Sequence, residues 1–125
     1  MNERPTVLKP VGPASLAEEE DFQLGAICVR PSLCEVEAGG ARESLEPRVM
    51  QVLVALARAK GTVVSRDQLI ELCWEGRIIG EDAINRAIAK ARAAAELTSP
   101  PAFEIETIPR IGFRLKVCQS AADIE

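Results

Sequence analysis

Residues 81–117 read EDAINRAIAKARAAAELTSPPAFEIETIPRIGFRLKV, and a change of period inside this stretch decides the fold. Ile84, Ile88, Ala91 and Ala95 recur at helical spacing, which predicts a helix over 82–97 with one dry stripe. Glu81 and Asp82 suit the positive end of such a helix. Ser99-Pro100-Pro101 stops it, because the residue before a proline is pushed out of the helical region. The period then becomes two. Phe103, Ile105 and Thr107 alternate with acidic residues, Ile108-Pro109-Arg110-Ile111-Gly112 reads as a turn, and Phe113, Leu115 and Val117 alternate with Arg114 and Lys116. That is the pattern of a β-hairpin over 103–117.

Upstream, Ser65-Arg66-Asp67-Gln68 is a capping box, and Val64 and Leu69 are placed to staple it. It opens a helix to about Trp74, with Leu69, Ile70, Cys73 and Trp74 inward and Gly76 closing it. Residues 75–80 form a connecting loop. Before the box, Pro47 fits a first helical position, where its missing N–H costs nothing. Val49, Val52, Leu53 and Leu56, with Met50, Val54 and Ala57, give that helix a wide apolar face, and Gly61 caps it. Further upstream, 22–29 reads as one strand with Phe22, Leu24, Ala26 and Cys28 on one face. Pro31-Ser32 turns into a strand at 33–38, where Cys34, Val36 and Ala38 alternate with Glu35 and Glu37. Gly39-Gly40 is a strong turn signal before a short strand at 41–45. Residues 1–21, with Pro5, Pro10, Pro13 and an acidic run ending at Asp21, read as a flexible arm, and 119–125 as a polar tail. One domain over 22–118 remains, of class α+β.

Composition narrows the chemistry. The 125 residues include no His and no Tyr, which removes the usual general base and the commonest metal ligand. Cys28, Cys34, Cys73 and Cys118 form no C-x-x-C pair, and each sits among apolar neighbours, as buried small hydrophobes do. No nucleophile–base pair, paired carboxylates or phosphate loop is visible. The chain therefore reads as a non-enzyme without metal or cofactor. No apolar run approaches the roughly 18–20 residues that span a bilayer, and the first residues lack a signal peptide's apolar stretch, so a cytoplasmic location is expected.

The net charge of −4 argues against nucleic acid until it is placed along the chain. Residues 1–46 carry −5, whereas 86–116 carry +3. With the stripe 84/88/91/95 buried, the outward face of helix 82–97 presents Asp82, Asn85, Arg86, Ala89, Lys90 and Ala93. Arg86 and Lys90 lie one turn apart. Arg reads the acceptor pair of guanine bidentately, Lys reads guanine or binds phosphate, and Asn85 suits adenine. Ala83, Ala89 and Ala93 let the backbone approach closely. Arg92 points to the side and suits a phosphate, with Arg66 placed among the backbone contacts as well. Arg110 at the hairpin tip and Arg114 beyond it suit a minor groove or flanking phosphates. Two helices joined by a short loop and followed by a basic hairpin describe a winged helix-turn-helix.

LEPRVMQVLVALARAKGTVVSRDQLIELCWEG, GEDAINRAIAKARAAAEL and IETIPRIGFRL together resemble the bacterial OmpR/PhoB-type winged-helix DNA-binding domain, in the version found at the N-terminus of CadC/ToxR-like transcriptional regulators. The resemblance covers about residues 22–117. It implies a four-stranded N-terminal sheet, three helices and a C-terminal hairpin wing, with sequence-specific binding to double-stranded promoter repeats, often as homodimers. By position it puts base reading on Arg86 and Lys90, with Ala83 and Ala89 beside them, and phosphate contacts on Arg92 and the wing around Arg110 and Phe113. It matches loop 75–80, with Arg77, Ile78 and Ile79, to a segment that can touch RNA polymerase. Ala89 and Ala91 depart from the basic and leucine residues common there, and Phe113 stands where Tyr is common. The competing expectation is a protein-interaction module on the same fold, suggested by the negative total charge.

Overall fold

A computed structural model describes residues 12–117 of the chain. Its elements follow in the order α1 (Pro13–Leu16), β1 (Phe22–Leu24), β2 (Ile27–Arg30), a 3-10 turn (Pro31–Leu33), β3 (Glu35–Ala38), β4 (Ala41–Ser44), α2 (Pro47–Arg58), β5 (Val64–Ser65), α3 (Arg66–Cys73), α4 (Glu81–Ala95), β6 (Phe103–Ile108) and β7 (Gly112–Val117). The first four strands form an antiparallel sheet in sequence order, and the last three a sheet ordered β5-β7-β6.

The long strand expected over 22–29 is two strands. Gly25, at φ 63, turns the chain with Ala26, so that Leu24 pairs with Ile27. A two-residue turn reverses which parity faces inward. Ile27 and Val29 are therefore buried, while Ala26 is exposed and Cys28 half-buried. The next strand begins at Glu35 instead of residue 33, because Cys34 is left-handed at φ 52 after the 3-10 turn. Gly39 and Gly40 both take positive φ and close the β3–β4 hairpin as expected.

Helix α2 is the centre of the domain. Val49, Met50, Val52, Leu53, Val54 and Leu56 are all buried, so the helix is apolar nearly all round, as a helix packed on every side must be. It touches α1, α3, α4 and β7. Each fully buried aliphatic side chain of this kind contributes about 1.5–3 kcal/mol of transfer free energy. Within the expected mobile arm, residues 12–21 hold α1, whose Leu16 is 4% exposed in the core, and Glu19 is ion-paired to Arg58 of α2. An apolar residue inside a proline-rich acidic segment supplies this anchor. The rest of that arm, residues 1–11, and the expected tail 119–125 lie outside the described residues, as does Cys118.

The capping box forms as its sequence requires. Gln68 N donates to Ser65 Oγ at 3.0 Å, and Ser65 N donates to Gln68 Oε1 at 2.8 Å. Val64 and Leu69 are both buried beside it. Helix α3 ends with Glu75 and Gly76 in the left-handed region, and Leu72 is buried where Ile70, expected inward, is only partly so. In α4 the stripe Ile84, Ile88, Ala91 and Ala95 is buried as expected, joined by Ala87 and Ala94.

The pairing of β5 with β7 was not legible as a strand in the sequence. Val64 pairs with Phe113 and Ser65 with Gly112. A Cβ at Gly112 would lie 2.1 Å from the Val64 carbonyl oxygen, so glycine is required there by the neighbouring backbone. The hairpin is thereby fastened to the N-terminus of α3.

Candidate nucleic-acid interface

Helix α4 is buried along one stripe and exposed along the rest, and its two flanks meet different neighbours. One flank faces the start of α2 across an open cleft of about 180 Å³, lined by Glu46, Arg48, Val49, Trp74, Ala83, Arg86, Ala87 and Lys90. The opposite flank faces β6. Asn85, Arg86, Ala89 and Lys90 are all exposed, as the periodicity predicts. Arg86 has no ion-pair or hydrogen-bond partner among the described residues, so its guanidinium is available to a ligand. Ala83 is half-buried against the core and lines the cleft beside Arg86, so only part of it is open to contact.

Lys90 reaches outward, but its Nζ donates to Glu46 Oε2 at 2.9 Å. Their side chains are 47% and 65% exposed, so the pair is at the surface and does not cover the helix face. Arg48 is occupied: its Nη1 donates to the Cys73 carbonyl at 3.0 Å, and its guanidinium lies 5.0 Å from the Trp74 ring centroid. Gln51 Nε2 donates to the same carbonyl at 3.2 Å. Beneath them, burial pushes the Cys73 thiol up to about 12, with Arg48 and Arg58 opposing the shift. Cys73 is thus an apolar wall of the core, whereas Cys28 and Cys34 are only partly buried.

Four expected DNA contacts, Arg92, Phe113, Arg66 and Arg114, are engaged within the chain itself. Arg92 Nε and Nη2 donate to the Ile105 carbonyl at 3.0 and 2.8 Å, and Nη2 also to Thr107 Oγ1 at 2.7 Å. Its guanidinium is spent on joining α4 to β6, because it leaves the helix on the flank the hairpin covers. Phe113 is 2% exposed and belongs to the core. Its backbone pairs with β5, and the alternation that sends Arg114 outward sends its ring inward. The Arg66 guanidinium stacks 4.9 Å from that ring's centroid, which fixes Arg66 on the wing's root, partly buried. Arg114 Nε donates to Glu106 Oε1 at 2.7 Å on the paired strand, and Lys116 Nζ lies 3.9 Å from the same oxygen. The hydrogen bond from Arg114 holds the Glu106 carboxyl below the ordinary carboxylate range. Both wing cations are therefore partly neutralised at the strand.

Arg110 remains. It sits at the hairpin turn with φ 67, exposed, and among the described residues it has no ion-pair partner. In loop 75–80, Ile78 is fully exposed, Arg77 lies 3.5 Å from Glu75, and Ile79 packs partly on the core. Sequence reasoning missed Glu46, Arg48 and Trp74. Glu46 and Arg48 stand far from α4 in the chain, and only the packing of α2 on α4 gathers them; Trp74, at the end of α3, was read as a core residue alone. Among the described residues no group of His, Cys, Asp and Glu could hold a metal ion, and no helix is long and apolar enough to cross a membrane.

A four-stranded sheet, a helical core ending in an exposed helix, and a hairpin fastened to the preceding helix define a winged helix-turn-helix domain. The family model described as "Transcriptional regulatory protein, C terminal" matches residues 40–115, more than half of the chain, and the chain belongs to that family, the OmpR/PhoB type. It is 31% identical over 97 residues to the transcriptional activator CadC of Escherichia coli, covering 76% of this chain and 19% of CadC. It is 28% identical over 97 residues to the transcriptional regulatory protein AfsQ1 of Streptomyces coelicolor, covering 77% of this chain and 43% of AfsQ1. The chain thus spans less than half the length of either relative. Among solved structures, the DNA-binding domain of E. coli CadC superposes with a TM-score of 0.68 at 31% identity, over 77% of this chain and 91% of that one.

Proposed function

We propose that this chain binds double-stranded promoter DNA sequence-specifically and serves transcription regulation in the cytoplasm, without catalysis of its own. The observation that carries the proposal is the exposed row Asn85, Arg86, Ala89 and Lys90 on α4, with Arg110 exposed at the hairpin tip. Helix α4 would enter the major groove, where Arg86 reads guanine and Asn85 adenine. Arg110 would meet the minor groove or its phosphates, and Arg66 and Arg114 would lie beside the backbone. The CadC domain that it resembles is a DNA-binding domain, which supports the same reading. Loop 75–80, with Ile78 fully exposed, is the candidate contact for RNA polymerase, and pairs of chains would occupy repeated half-sites.

The test is retardation of fragments selected from sheared genomic DNA. Arg86→Ala is expected to cost about 1–3 kcal/mol on the selected site, while Arg110→Ala should weaken all sequences more evenly and flatten the salt dependence. Unchanged retardation by the triple variant R86A/K90A/R110A refutes the assignment of this surface. Failure of the parent chain to bind any fragment at low salt, with a protein retained instead, selects the protein-interaction reading.

A further inference from the structure

Glu46 stands at the N-cap of α2, where a short side chain ordinarily accepts a hydrogen bond from the helix. Its carboxylate makes no capping bond. It crosses the cleft to Lys90, 44 positions away, and holds the Nζ at 2.9 Å. Of the residues lining the cleft, Glu46 is the sole carboxylate, facing Arg48, Arg86 and Lys90. Arg48 is already bound to the Cys73 carbonyl and to Trp74. Glu46 therefore acts on the one flexible ammonium of the exposed helix face. An ion pair this exposed contributes little to folding. Its effect falls on what approaches from solvent.

We propose that Glu46 is a specificity-determining residue that positions Lys90 and keeps it from binding phosphate indiscriminately; this rests on the DNA-binding reading above. Lysine is a compact charge on a flexible stem, and a free one binds any phosphate within reach. Non-specific affinity comes almost wholly from such contacts, whereas sequence is read at base edges. Glu46 lowers the first by neutralising Lys90 and by repelling the phosphodiester backbone. It favours the second by restricting where the ammonium points. The cost of losing the Glu46 contact is recovered only where a base edge replaces it.

The experiment compares the parent chain, E46Q, K90Q and E46Q/K90Q on a short labelled random-sequence duplex and on a selected genomic site, across a salt series. E46Q is expected to bind the random duplex about threefold to tenfold tighter at low salt, with a log–log salt slope steeper by about 0.9. The ratio of specific to non-specific affinity should fall, and the melting temperature should stay within about 2 °C of the parent. In the K90Q background the gain from E46Q should shrink by at least half. An E46Q chain with the parent's slope and ratio overturns the proposal. So does an equal gain with and without Lys90, which leaves only a general charge effect. A parent chain that binds neither duplex at low salt overturns the DNA-binding reading itself, and this inference with it.

Discussion

Replacing Gly112 with alanine tests how the hairpin is held. The added Cβ would stand 2.1 Å from Val64 O, 2.6 Å from Ser65 Cα and 2.8 Å from Val64 C, all backbone atoms that no side-chain rotation can clear. Ordinary contact begins at 3.4 Å, so β5 must retreat by more than 1 Å. That breaks the pairing of Val64 with Phe113 and Ser65 with Gly112. Two ladder bonds at about 1 kcal/mol each, plus disturbed packing at Val64, give a loss of about 2–3 kcal/mol. For a domain of this size each kcal/mol moves the melting temperature by about 4 °C, so G112A should melt about 8–12 °C below the parent. Amide exchange should show the cause: protection lost first in β5 and at the start of α3, with α2 protected until global unfolding. The reasoning is refuted if G112A melts within about 2 °C of the parent and keeps β5 protected.

Two further outcomes are expected. Arg92→Met should lower stability by about 1–2 kcal/mol, read by urea titration, because the Ile105 carbonyl loses a charged donor at a partly exposed site; its salt slope on random DNA should stay near the parent's, and a slope flatter by about one unit would restore Arg92 as a phosphate contact. Cys73 should resist alkylation in the folded chain, read by peptide mapping, while partly buried Cys28 and Cys34 react. Because its thiol is raised from 9.0 to about 12 by burial, Cys73 leaves stability intact below the unfolded thiol's value and removes it as pH climbs toward 12; a C73A chain should lose less stability over that alkaline window, and an equal loss would contradict the burial argument.

Local chemistry made much of the fold legible. Ser65 and Gln68 announce a helix start through their own hydrogen bonds, and Ile84, Ile88, Ala91 and Ala95 announce a buried stripe through spacing alone. Gly25 was not legible as a turn, since alternation can be drawn straight through it; only pairing of Leu24 with Ile27 reveals the parity change. The α4 face was legible for Arg86 and Asn85, whose surroundings are solvent. It was not for Arg92, whose position on the rod is compatible with solvent until β6 is placed beside it. Phe113 shows the same limit. Alternation along 112–117 marks it as inward, yet its family position suggested a contact, and the pleat prevailed.

The guanidinium of Arg92 has a further consequence for how such a domain would meet a duplex. It pins Ile105 and Thr107 to α4, while Gly112 pins the other hairpin strand to β5. With both strands fastened, the span from Arg86 to Arg110 behaves as a fixed gauge. If both cations meet one duplex as proposed, any mismatch with that span would be taken up by the DNA, and base steps that no side chain touches would affect affinity through their stiffness.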